Sequence, residues 1–257
     1  MSTIETSLVE DGAVLRIALA RPKANILTGE MLGDIHDALV HHRDHKPLRM
    51  VLLRGSGGAF SYGASVEEHK KEHVRGMLGR FHDTVRQLAT YPVPVACAVE
   101  GRCLGGAFEL VLAAHLVFAT PDAIFACPEI KLGVLPPVLA ALGPLRLPRG
   151  IVERMLLTGC ELDAATAAMA GLVTAVVPRD RDVEAATLDF YREHLRPLSA
   201  FSLRQATWSA RLSVAKELDT TLREIERRYL DHLVPSHDGN EGIEAFLSKR
   251  APEWRNE

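Results

Sequence analysis

Short apolar runs of strand length recur along the first half of the chain, separated by segments with helical spacing. Ala13 to Ala20 alternates apolar and polar residues and predicts a strand, which Arg21-Pro22-Lys23-Ala24-Asn25 ends. Thr28 then offers a cap for a helix running to about His45, with Met31, Leu32, Ile35 and Leu39 on one face. Arg49 to Leu53 predicts a second strand, and a helical stretch follows from about Arg75 to Ala89. Val95 to Val99 is apolar at every position, as expected of a strand buried on both faces of a parallel sheet. Two short strands are expected at His115 to Ala119 and at about Ala123 to Ala126. From Gly150 onward the spacing is mostly helical, with one strand at Leu172 to Val177. Residues from about Val183 to Leu247 are charged and amphipathic, predicting helices that cover the core or meet another subunit.

The chain is organised around residues 95–119. After Val99 the apolar run breaks at Gly101, turns through Gly105 and Gly106, and restarts with helical length. One acid, Glu109, stands among Phe108, Leu110, Val111, Leu112 and Ala113. A carboxylate there is costly to bury and tends to have its pKa raised. Glycines just before a helix leave backbone N–H groups unobstructed and aided by the helix dipole. Negative charge can be held here and a proton moved.

Composition narrows the classes. The 257 residues suffice for a sizeable core, and 47% apolar with 25% charged residues is ordinary for a globular protein. A net charge of −3 gives no reason to expect nucleic acid. No apolar run approaches the ~20 residues that span a bilayer. The N-terminus lacks the basic and apolar regions of a secretory signal. Cys97, Cys103, Cys127 and Cys160 lie in or beside apolar stretches, without CxxC pairing, and read as reduced thiols of a cytoplasmic protein. His69 and His73 have the helical spacing of a metal pair, but no third ligand is indicated and no metal is expected.

Two glycine-bearing loops follow two apolar strands: FSYGAS after Val51 to Leu53, and RCLGGA after Val95 to Val99. Loops at the carboxyl ends of parallel strands form binding crevices. One N–H from each could converge on a single oxygen as an oxyanion hole. Neither loop fits GxGxxG or GxxxxGK[ST], so no nucleotide site is read. Glu129, between the apolar runs AIFAC and LGVL, is a second candidate acid and could pair with Glu109. Taken singly, a lone core glutamate is as readily an arginine-paired structural acid, and Gly-Gly before a helix is more often close packing.

Together these features reach a resemblance. RPKANIL, FSYGAS, EGRCLGGAFE and PEIKLG occur in the order and spacing of the crotonase (enoyl-CoA hydratase/isomerase) superfamily, which the chain resembles from about Leu15 to Val177. The resemblance implies an α/β fold: a crotonase-like ββα spiral core over residues 1–190, and a helical C-terminal trimerisation region over residues 191–257. It implies trimers or dimers of trimers, and an acyl-CoA thioester substrate whose CoA is part of the substrate, with no separate cofactor. By position, the oxyanion-hole amides fall on Ala64 and Gly106, and the two hydratase acids on Glu109 and Glu129. Lys23, Ala24, Ser61, Tyr62, Gly63, Ala64, Gly105 and Pro137 fall on segments that cradle the CoA and acyl parts. Lys249 in FLSKR matches a lysine near the CoA phosphates, supplied in some members by a neighbouring subunit.

Two departures narrow the resemblance. Ser65 stands where an aspartate is common. PPVLAA replaces the usual PGAGGT, so Pro137 stands where a glycine N–H helps place water, and proline has no N–H. GASVEEH and LGVLPPVLA resemble the members that hydrate a cyclic dienoyl-CoA, cyclohexa-1,5-diene-1-carbonyl-CoA. The alternatives are a linear enoyl-CoA hydratase, an enoyl-CoA isomerase using one acid, and a crotonase-like interaction module without turnover.

Overall fold

A computed structural model describes residues 2–257. Among the described residues, nine strands form two sheets. In the larger, β1 (Ile4–Val9), β2 (Val14–Leu19), β3 (Met50–Gly55), β4 (Val95–Val99), β6 (Leu116–Ala119) and β9 (Ala175–Val176) lie in that order. β1 and β2 are antiparallel, and every later pair is parallel. The smaller sheet has the order β5 (Arg102–Leu104), β7 (Ile124–Ala126) and β8 (Glu161–Asp163). The helices are α1 (Gly29–His42), α2 (Val74–Ala89), α3 (Gly106–Ala113), α4 (Pro137–Arg146), α5 (Arg149–Thr158), α6 (Ala164–Met169), α7 (Val183–Phe190), α8 (Ala200–Ala210), α9 (Leu212–Asp219), α10 (Thr221–Arg228) and α11 (His237–Leu247).

The continuous apolar runs of β3 and β4 have a direct cause. Side chains alternate across a strand, and both faces are covered. Val51, Leu53, Val95, Cys97 and Val99 join the main core with α1, α2 and α3. Met50, Leu52, Ala96 and Ala98 face a second core with residues of α7. Glu184 fastens α7 to the sheet through Arg16, at 2.6 Å, and Arg54. All eight residues of α3 are buried, which is why its sequence shows no polar face. Thr28 caps α1, accepting from Met31 N at 3.4 Å, and the four expected apolar residues are buried.

Several elements differ from the pattern-based expectation. β1 was not foreseen, because IETSLV is an edge strand with four consecutive exposed positions. β5 and β8 have three residues each, too few to show a period. α1 ends at His42, three residues early. The expected strand at Leu172 to Val177 shrinks to Ala175–Val176, because the amides of Leu172 and Val173 turn back to Ala167 O and close the end of α6.

α11 docks on the turn Glu129–Leu132. The approach is close: a Cβ added to Gly242 would sit 2.2 Å from Leu132 O. Gly133, at φ +72°, leaves no room for a Cβ beside Asp238 O. Gly242→Ala is therefore expected to cost about 2 kcal/mol of stability, measured by urea unfolding. An unchanged midpoint would show that this contact does not hold the turn.

Candidate active site

The two glycine loops are built against each other. Asn25, buried, points Nδ2 at Ser56 O, Ala59 O and Phe60 O at 2.8, 3.1 and 3.2 Å. Ser61 Oγ donates to Asn25 O at 2.7 Å and accepts from Gly63 N at 3.0 Å. Tyr62 N donates to Ala24 O, Leu27 N to Gly63 O, and Ser65 N to Leu27 O. These bonds hold Lys23, Ala24 and Asn25 at φ of 66°, 110° and 49°, a strained run of non-glycine residues. Each such residue costs on the order of 1–3 kcal/mol, and such strain concentrates where ligands are held.

The second loop closes on the first. Leu104 N donates to Ser61 O at 3.0 Å and Gly105 N to Ala126 O at 2.7 Å. Gly105 has φ +53°, and a Cβ there would lie 2.6 Å from Glu129 Oε1. A Cβ on Gly63 would lie 2.6 Å from Leu104 O, and one on Gly106 would touch the Cβ of Ala64 at 3.4 Å. The glycine at 63 follows from the approach of the two loops, and that at 105 from the position of Glu129. Among the described residues, neither Ala64 N nor Gly106 N donates to a protein acceptor. Two amides from adjoining loops are thus unclaimed, one of them at the N-terminus of α3, where the dipole favours negative charge.

They open on a cavity of about 790 Å³, within the range of small-molecule sites. Its wall brings together Ala24, Tyr62, Gly63, Ala64, Gly105, Gly106, Glu109, Glu129 and Pro137. Three expected contacts are elsewhere. Ser61 is fully buried, and both of its hydrogen bonds go to the loops, so it supports the wall from beneath. Lys23 and Lys249 are exposed, and neither is on the wall, although Ala24 and Leu247 close by are. His69 is on the wall, but its Nδ1 lies 2.8 Å from Ser65 O, and His73 is exposed.

The two acids differ in surroundings. Glu109 is 4% exposed, and its Oε1 accepts from Val138 N at 2.6 Å and Leu139 N at 2.9 Å. These are first-turn amides of α4, otherwise without intrahelical partners. Pro137 is the first residue of that helix, a position where a missing N–H costs nothing. Burial pushes the Glu109 carboxyl up to about 7, against the pull of the two amides. Glu129 stands on the Glu129–Leu132 turn, with Oε2 buried and unpartnered. Burial, and then the neighbouring charge of Glu109, push it up to about 8. Two carboxyls in one apolar cavity hold their negative charge more easily one at a time. The amides favour Glu109 as the carboxylate and leave the proton on Glu129.

Sequence reasoning missed part of the wall. Met77, Leu78 and Phe81 of α2 face the cavity, as does Tyr229, which follows α10. Tyr229 lies in a charged stretch, LREIERRYL, where only the folded chain shows which side chain turns inward.

The arrangement can polarise a carbonyl and move protons at neighbouring atoms, and the comparisons agree with it. The sequence profile described as Enoyl-CoA hydratase/isomerase matches residues 10–257, and the chain belongs to that family. Among its relatives is the cyclohexa-1,5-dienecarbonyl-CoA hydratase of Thauera aromatica, 41% identical over 99% of this chain and 98% of that protein. A probable enoyl-CoA hydratase of Rhizobium meliloti is 34% identical over 98% of both. The crystal structure of an enoyl-CoA hydratase from Mycobacterium avium subsp. paratuberculosis superposes with a TM-score of 0.86 at 28% identity, covering 100% of each chain. The fold is that of the family, an α/β core with a mainly helical C-terminal region.

The pair makes stability pH-dependent. A carboxyl whose pKa rises on folding favours the folded state fully below its unfolded value, and that contribution is lost as pH rises through the folded value. The melting temperature of the wild type is expected to fall between about pH 5 and pH 9. Glu129→Gln is expected to flatten this fall and to melt above the wild type at pH 8. Parallel profiles for the two proteins would show that Glu129 is not raised.

Proposed function

We propose that this chain is a hydro-lyase that adds water reversibly to a C=C bond of a cyclic dienoyl-CoA, cyclohexa-1,5-diene-1-carbonyl-CoA or a close analogue. One observation carries the reading: two desolvated carboxyls, one amide-bonded and one unpartnered, share an apolar cavity with two unclaimed amides. The similarity to the Thauera aromatica hydratase supports the cyclic substrate, as do the apolar flanks formed by Leu78, Phe81, Leu135, Pro136 and Pro137. A flat ring suits such walls.

The thioester oxygen sits between Ala64 N–H and Gly106 N–H, donors that strengthen as it becomes an enolate oxygen. Glu109, the carboxylate, takes a proton from water as the water oxygen bonds to the terminal carbon of the conjugated system. Electrons move toward the thioester, giving an enolate. Glu129 donates its proton to a carbon of that enolate, and the carbonyl re-forms. Water has then been added across the system, and the proton taken by Glu109 restores Glu129 for the next turnover. The sequence runs on amides and carboxyls and requires no separate cofactor. Lys23, next to Ala24 of the wall, contacts the pantetheine and adenine part of CoA, and Lys249, supplied by a neighbouring subunit, lies near the CoA phosphates. The helical region from residue 191 assembles the chain as a trimer or dimer of trimers, for which exposed Phe201, Trp208 and Leu212 provide an apolar face. Four unpaired cysteines fit a cytoplasmic protein, and among the described residues no helix is long and apolar enough to cross a membrane.

A linear enoyl-CoA hydratase is the competing activity, since relatives such as the Rhizobium meliloti protein carry that name. Incubation with the cyclic dienoyl-CoA and, separately, with crotonyl-CoA distinguishes the two by product mass. Gain of one water on the cyclic ester is expected; turnover of crotonyl-CoA alone would overturn the cyclic assignment. Glu109→Gln is expected to lower kcat by about 100-fold or more while leaving acyl-CoA binding within a few-fold. An unchanged kcat would remove Glu109 from its role.

A further inference from the structure

Tyr229 is 2% exposed and stands on the cavity wall with both glutamates. Its hydroxyl makes no hydrogen bond to any described protein group, and the charges of Glu129 and Glu109 both act on it, that of Glu129 more strongly. Glu129 Oε2 nearby is equally without a partner. A buried phenol and a buried carboxyl on one cavity wall, with no hydrogen bond between them, can be bridged by an oxygen held in the cavity. The start of α4 offers them no backbone donor. Pro136 and Pro137 have no N–H, and the next two amides are taken by Glu109.

We propose that the Tyr229 hydroxyl and the two carboxyls form a three-cornered seat for the reacting oxygen, held as water before addition and as the product's hydroxyl afterwards. Tyr229 O–H donates to that oxygen, and the oxygen donates to a carboxylate. A water in an apolar cavity needs two or more polar partners, and this corner supplies three. The unsaturated ester has no hydroxyl to place there, so the contact is specific to water and to the hydroxylated product. Tyr229 thereby fixes which ring carbon receives the oxygen. This inference rests on the hydratase reading above.

Tyr229→Phe removes the donor and keeps the ring. Titration calorimetry with the unsaturated acyl-CoA and with its hydroxylated product tests it, alongside steady-state kinetics on the same protein. The expected result is about tenfold weaker binding of the hydroxyacyl-CoA, unsaturated-ester affinity within twofold of wild type, and kcat lowered about 10- to 100-fold with little change in KM. Equal affinities and kcat within twofold of wild type would overturn the proposal. Equal weakening of both esters would also overturn it, since that is the mark of lost packing. A wild-type protein that binds both esters and hydrates neither would overturn the hydratase reading instead, and this inference with it.

Discussion

The structure depends on one electrostatic arrangement: a carboxylate buried in an apolar helix, held by the N-terminus of another. An unpaired charge at Glu109 would be costly in such surroundings. Val138 N and Leu139 N offset part of that cost, bonding Oε1 with amides that helix geometry leaves free. The elements near the site pack around this contact. α3 is buried on every side, α4 packs between α3 and α10, and α11 fixes the turn that brings Glu129 alongside. The second carboxyl has no such amides, and the two carboxyls differ in their surroundings in the way the proposed division into base and acid requires.

Backbone groups form the other polar part of the site. Ser61 and Asn25 use their side chains to stitch the RPKANIL and FSYGAS segments together, and the bond pattern skips the amide of Ala64. Gly105 and Gly63 let the second loop approach within the width of a single carbon, which leaves the amide of Gly106 beside it. Strain at Lys23, Ala24 and Asn25 is tolerated because the loop is fixed from both sides. An oxyanion site of this kind needs no particular side chain at its donors, only the absence of one at their neighbours.

Much of this was legible in the chain. The apolar run of β4, the glycine break and the buried Glu109 stand close together in sequence, and a period and a misplaced charge reveal them. The motif order added Glu129 and the two amides. The polar edge strand β1 and the three-residue β5 and β8 were not legible, because their partners, not their patterns, make them strands. Ser61 was legible as part of the loop but not as buried beneath it. Tyr229 was invisible as a wall residue, because its neighbours in sequence are charged and only the packing of α10 on α4 turns it inward.

The prolines at 136 and 137 bring these points together. From sequence, Pro137 reads as the loss of a group that positions water. In the fold, it begins α4, where a proline surrenders nothing and its fixed φ is already helical. The next two amides are then committed to Glu109 and cannot serve a water or a substrate. The same helix start therefore favours the charged form of Glu109 and presents an apolar wall to the cavity. Under the hydratase reading a polar donor for the added oxygen has to come from another element, and Tyr229, in the segment after α10, places a buried hydroxyl on the wall shared by the two glutamates. Under the role proposed for Tyr229, a side-chain donor from a different element serves where Pro137 supplies none, which changes the shape of the site without changing its charge and suits a bulkier, flatter acyl group.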